Sequence, residues 1–139
     1  MIKLLLSCLC IFLGTTLFSQ ELTMRISGIK QGKGDILIAI FKGESGFPSE
    51  TSKAVELLRA VPVNGKAELT IKTLPAGTYA VSLFQDSNGD GLLNTNFLGI
   101  PKEGYGVSNN AFNTFSAPVY KDASFAYPQV NLLNMMLKY

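Results

Sequence analysis

The chain has 139 residues, with 12 Lys and Arg against 10 Asp and Glu, no histidine and two cysteines. Without histidine the commonest general base and the usual zinc ligand are missing, which excludes Ser-His and Cys-His catalysis. A net charge of +2 with no basic cluster on any short stretch removes nucleic acid from the expected partners.

The opening residues, MIKLLLSCLCIFLGTTLFSQE, place Lys3 before an apolar run from Leu4 to Leu13 and then small or polar residues, the pattern of a secretory signal peptide. Cleavage is expected after Ser19, with Gln20 as the neighbouring choice. The alternative is lipoprotein processing at Leu5-Leu6-Ser7-Cys8, with Cys8 acylated. Gly14, Thr15 and Thr16 interrupt the run before it reaches the roughly 20 apolar residues of a membrane span, so no transmembrane anchor is expected after cleavage. The mature chain is then exported to the periplasm, the cell surface or the outside. Cys8 and Cys10 both fall in the removed segment, so residues 20–139 must fold by packing alone. One domain and a monomer are expected, and a domain of that size buries roughly two-thirds of its unfolded surface.

Along that domain the apolar period is two. Leu22, Met24 and Ile26 alternate with polar residues as a strand with one buried face. After the turn Lys30 to Gly34, residues Asp35 to Phe41 are apolar on both faces, which suits a central strand covered on both sides; the two strands read as a hairpin. Lys42 to Lys53 is a long loop that tucks Phe47 into the core. A short helical turn from Thr51 competes with a strand over Leu58 to Val63, which Pro62 would hold at an edge. Asn64-Gly65 is a hairpin turn signal leading into Lys66 to Lys72, and Leu74 to Gly77 turns the chain into Thr78 to Phe84, giving three strands in meander order. Gln85 to about Pro118 keeps no period. The chain closes with Ala123 to Tyr127 and Val130 to Leu137; the Leu and Met content of the last segment would allow a helix, and its place at the end of a β domain favours a final strand. About seven strands at such spacing predict an all-β, antiparallel sandwich with Greek-key connections, prealbumin-like or immunoglobulin-like.

Chemistry concentrates in the aperiodic segment, which is too long for an ordinary connection. Asp86-Ser87-Asn88-Gly89-Asp90-Gly91-Leu92-Leu93-Asn94 sets oxygen-bearing side chains at alternate positions around a tight bend, the spacing from which one loop can ligate Ca²⁺. Asp86, Asn88 and Asp90 are the side-chain candidates, Leu92 offers its carbonyl, and Asn94 acts directly or through water. The twelfth position, where an EF-hand needs a bidentate Glu, is Phe97, and two carboxylates suit only weak binding, ~10⁻⁴ to 10⁻³ M. The competing reading is an Asx-rich turn whose side chains cap their own backbone. A second candidate is a surface for a protein or glycan partner formed by Phe97, Tyr105, Asn109, Asn110 and Phe112; against it, Phe97, Ile100 and Phe112 could pack the loop onto the sandwich. Asp86, Asp90 and Glu103 could supply the acid and base of a glycosidase, but the turn gives the two aspartates a better use and no enzyme is expected.

The stretches ILIAIFKGESGFP and LPAGTYAVSLFQDSNGDGLLNTNFLGIPKEGYGVSNNAF resemble the bacterial secreted family known as domain of unknown function 2141, with NFLGIPKEGYGVSNN the most specific part. The likeness runs from about Leu22 to the C-terminus and implies an exported single-domain protein of Gram-negative bacteria. More loosely, LPAGTYAV followed by a D-x-N-x-D-G loop is similar to prealbumin-like and Cna-B-type sandwiches. Some adhesin repeats of that kind bind Ca²⁺ in such a loop, which implies ligand roles for Asp86, Asn88, Asp90 and Asn94. Those repeats carry further acidic residues where Asn94, Asn96 and Phe97 stand here.

Overall fold

The computed structural model describes residues 20–139; the expected signal peptide and the Cys8 alternative lie outside the described residues. Eight strands follow one another: β1 (Leu22–Ser27), β2 (Asp35–Phe41), β3 (Glu56–Ala60), β4 (Ala67–Ile71), β5 (Gly77–Asp86), β6 (Tyr105–Val107), β7 (Phe125–Tyr127) and β8 (Leu132–Met136), with a single helical turn, α1 (Tyr120–Ala123), before β7. They form a three-stranded sheet in the order β4-β1-β8 and a five-stranded sheet in the order β3-β2-β5-β6, with β7 pairing on β5. The result is the expected all-β sandwich. No helix among the described residues is long and apolar enough to cross a membrane.

Three connections differ from the sequence reading. β1 and β2 do not form a hairpin: the chain leaves β1 at Gly28 and changes sheets, so β1 pairs with β4 and β8 while β2 pairs with β3 and β5. The Asn64-Gly65 turn forms as its residues demand, with φ of 52° and 72°. It closes only the Val63–Lys66 bridge, because Pro62 has no N–H to continue a ladder and the chain crosses to the other sheet. The expected meander is thus a zigzag between layers. Finally, β8 lies parallel to β1, from Thr23↔Leu132 to Ser27↔Met136, so the sandwich is antiparallel everywhere except at this pair.

The core follows the two-residue period. Leu22, Met24 and Ile26 of β1 meet Ile36, Ile38 and Ile40 of β2, Tyr79, Val81 and Leu83 of β5, and Leu133 and Met135 of β8 between the sheets. Burying side chains of this size stabilises by roughly 1.5–3 kcal/mol each. A smaller cluster on the other face of the five-stranded sheet joins Ala80, Val107 and Ala123 to Phe47 and Tyr120. Phe47 stands edge-on to Phe41 at 5.5 Å and to Tyr120 at 5.9 Å, which is why β2 had to be apolar on both faces.

The β2–β5 ladder runs from Phe41↔Ala80 to Asp35↔Asp86, and its far end launches the long loop. Gly34, at φ +91°, passes against the Asp86 carbonyl where any Cβ would collide. Beside it Gln85, 1% exposed, donates from Nε2 to the Lys30 carbonyl at 2.7 Å and accepts the Tyr139 hydroxyl on Oε1 at 2.6 Å. The Lys30 ammonium stands 3.8 Å from the centre of the Tyr139 ring. The C-terminal tyrosine therefore pins the base of the loop to the β1–β2 connection.

Candidate functional site

From Asp86 to Gly104 most of the backbone N–H groups that are bonded go to side-chain acceptors. Asp86 takes the Gly89 N–H on one oxygen and the Gly91 N–H on the other, both at 2.9 Å. Asn88 Oδ1 accepts from the Asp90 N–H at 3.2 Å, and Asp90 Oδ1 from the Leu92 N–H at 2.9 Å. Each acidic or amide side chain thus shapes the bend that follows it. Gly89 and Gly91, at φ 75° and 76°, supply the left-handed residues this winding needs.

The tip of this bend closes on Asp90. Its Oδ2 accepts from the Asn88 amide at 3.1 Å and the Asn94 amide at 2.9 Å, and Asn88 also donates to Asn94 Oδ1 at 3.0 Å. Hydrogen bonds from the Asn94 amide, then the Leu92 N–H and the Asn88 amide, hold the exposed Asp90 carboxyl below its ordinary value. Of the five expected metal ligands, Asn88, Asp90 and Asn94 are joined side chain to side chain, while Asp86 spends both oxygens on the Gly89 and Gly91 N–H groups and Leu92 joins through its N–H. As arranged, both amides turn nitrogen toward Asp90; a hard cation would need their oxygens there. Among the described residues no three acidic, histidine or cysteine side chains converge as a metal cluster.

In the sequence Glu103 reads only as one of three carboxylates that could serve as a glycosidase acid or base; the structure gives it a role in the loop instead. It is 5% exposed. Its Oε1 accepts the Ser87 N–H and hydroxyl, both at 2.8 Å, and its Oε2 accepts the Asn94 N–H at 3.0 Å. One carboxylate therefore ties the start of the acidic bend to its end. The only hint in the sequence is a lone acidic residue in an otherwise aromatic, Gly-rich stretch.

Beyond Asn94 the chain makes a second wound turn. Asn96 Oδ1 accepts the N–H groups of Leu98 at 2.9 Å and Ile100 at 3.0 Å, and Asn94 and Thr95 pair back onto Lys102 and Pro101. This turn does not pack its apolar residues inward, and Leu92 of the first bend is open as well: Leu92 is 66% exposed, Phe97 94%, Leu98 68% and Ile100 56%. Packing of Phe97 and Ile100 onto the sandwich is thus overturned; of that trio only Phe112 packs.

The five residues expected on a partner surface separate. Phe97 stands on the tip. Tyr105 and Phe112 pair edge to face at 5.6 Å, half-buried, with the Lys138 ammonium 5.6 Å from the Phe112 ring. Asn109 spends its amide on the Asp122 and Ser124 carbonyls. Asn110 brackets β8, donating to the Asn134 carbonyl at 3.1 Å and accepting the Met136 N–H at 2.9 Å. Both adopt left-handed φ, 60° and 49°, a conformation asparagine tolerates better than most residues.

No curated protein and no solved structure matches the chain, and the looser likeness to prealbumin-like sandwiches is not confirmed. A family model does match residues 24–132, which include the whole acidic bend, the exposed tip and Glu103. The chain therefore belongs to the family described as uncharacterized protein conserved in bacteria, DUF2141.

Proposed function

We propose that the protein is a non-enzymatic binding domain of the bacterial envelope that docks a protein partner through the tip of the Asp86–Lys102 loop. One observation carries this reading: Leu92, Phe97, Leu98 and Ile100 are all more than half exposed on a loop whose backbone is held by at least eight side-chain acceptor bonds. Scattered exposed apolar residues need no explanation, but apolar residues grouped on an ordered projection are what interfaces use. A loop built in advance spends little ordering entropy on binding. The aliphatic character of the tip favours a protein over a glycan, which asks for polar groups beside the aromatic ring.

The test is site-specific photocrosslinking in bacteria producing the protein. A photoreactive residue at position 97 or 98 should give a discrete adduct with one protein, and the same residue at Lys33 should not. Equal labelling from both places, or none from the tip, contradicts the reading.

A second reading, in which Ca²⁺ steadies the acidic bend, is favoured by the clustering of Asn88, Asp90 and Asn94 on a bend that Asp86 also shapes. It requires the Asn88 and Asn94 amides to rotate so that oxygen replaces nitrogen. Millimolar Ca²⁺ should then raise the melting temperature, and Asp90→Ala should abolish the rise. Calorimetry without a shift at about 10 mM, well above the weak range for such loops, removes it.

A further inference from the structure

Two independent observations meet at residue 20. The export signal read from the sequence ends in Phe18-Ser19, so cleavage after Ser19 makes Gln20 the first residue, whereas cleavage one bond later makes it Glu21. The fold favours the first. The Gln20 carbonyl accepts the Tyr127 hydroxyl at 2.5 Å, and Tyr127, on β7, is 3% exposed and part of the core between the sheets. Buried hydroxyls are nearly always bonded. A chain that began at Glu21 would lack this carbonyl and leave the tyrosine without its acceptor.

From Gln20 onward the chain is tied down. The Glu21 carboxylate lies 3.9 Å from the Lys72 ammonium, Leu22 is fully buried, and the Thr23 N–H donates to the Asn131 carbonyl at 2.9 Å. Chain ends are loose unless held in such ways. Gln20 is itself exposed, which leaves room for chemistry between its carboxamide and the α-amine that cleavage creates.

We propose that Gln20 is a modification site, converted after export to an N-terminal pyroglutamate. The α-amine nitrogen attacks the side-chain Cδ and a new C–N bond closes a five-membered lactam. The bond from Cδ to the carboxamide nitrogen breaks, and that nitrogen leaves as ammonia with a proton from the amine. Nothing is oxidised or reduced, and no second reactant is needed. The carbonyl that Tyr127 holds lies outside the ring, so the anchor survives the reaction. The product has neither the terminal charge nor the free amine from which an aminopeptidase would trim toward Leu22 and the core. This inference rests on the export signal and is independent of the loop tip.

Intact-mass spectrometry of the protein from freshly harvested bacteria, produced from the full chain, tests it. The expected mass is that of residues 20–139 less one ammonia. Pyroglutamyl aminopeptidase acting on the unfolded protein should then leave a chain beginning at Glu21. Gln20→Asn, whose side chain is one carbon too short for a five-membered lactam, should keep a free amine and lose no ammonia. Tyr127→Phe should be cyclised like the wild type but melt a few degrees lower; an unchanged melting temperature would remove the anchor on which the choice of Gln20 rests. A free amine on Gln20, or cyclisation only during storage, overturns the modification. A chain beginning at Glu21 overturns the assigned first residue, and one beginning at Met1 or at an acylated Cys8 overturns the export reading beneath it.

Discussion

Removing the Glu103 carboxylate measures how far the loop depends on one buried anion. A carboxylate taken out of water is costly unless paired, and here three donors from Ser87 and Asn94 compensate it. Hydrogen bonds to a charged group contribute about 1.5–3 kcal/mol each, and a buried donor left unpaired costs about 1–3 kcal/mol. The full sum is an upper bound, because Ser87 is exposed and water can reach its groups once the loop opens. We expect about 3 kcal/mol for Glu103→Ala, and about half that for Glu103→Gln, which keeps one acceptor oxygen. At roughly 3–4 °C per kcal/mol for a domain of this size, the alanine variant should melt about 10 °C lower. Urea unfolding followed by circular dichroism gives the free energy. A double-mutant cycle with Ser87→Ala should return a coupling of about 1 kcal/mol. A loss below about 0.5 kcal/mol for Glu103→Ala, the size of an ordinary surface substitution, would refute the clamp.

Other outcomes follow from the same geometry. Gly34→Ala should cost at least about 2 kcal/mol in urea unfolding, since it combines a left-handed φ with a collision against the Asp86 carbonyl. Tyr79 is buried, its proton donated to the Pro75 carbonyl at 2.8 Å. Desolvation, and then the proximity of Tyr120 and Tyr127, raise its pKa above the ordinary 10.0. The unfolded chain therefore loses this proton first, so stability is whole below pH 10 and falls as pH rises above it; Tyr79→Phe should flatten that alkaline slope in pH-dependent unfolding. Asp90 has the opposite sign: its carboxyl lies below the ordinary 3.8, so the bend should stay ordered down to that pH and loosen as pH falls through the lower folded value. Amide shifts of Leu92 and Asn94 would report it.

Much of the fold could be read from the sequence because strand burial has a short, local signature. Leu22, Met24 and Ile26 alternate plainly, and the two-sided apolarity of Ile36 to Phe41 announced a covered central strand. Which sheet each strand joins is a long-range choice, and no local pattern encodes it: the turn at Lys30 to Gly34 and the Asn64-Gly65 turn look like hairpins whether their flanks pair or cross. The parallel placement of β8 depends on a partner more than 100 residues earlier. At the site, the Asx spacing from Asp86 to Asn94 was legible because each side chain bonds a backbone group a few residues on. Glu103 was not, since its partners lie 9 and 16 residues away. The roles of Asn109 and Asn110 were hidden for the same reason, as both amides reach segments distant in the chain.

The central claim is that the loop is built before any partner arrives, so that Phe97, Leu98 and Ile100 stand out from a fixed frame. Backbone ¹⁵N relaxation of the isolated protein in metal-free buffer tests this most directly. Order parameters near 0.85 for Gly89, Gly91, Leu92, Asn94, Leu98 and Ile100, matching the strands, are the predicted result. Values below about 0.6 across those residues would mean a flexible segment with no frame, and would contradict it.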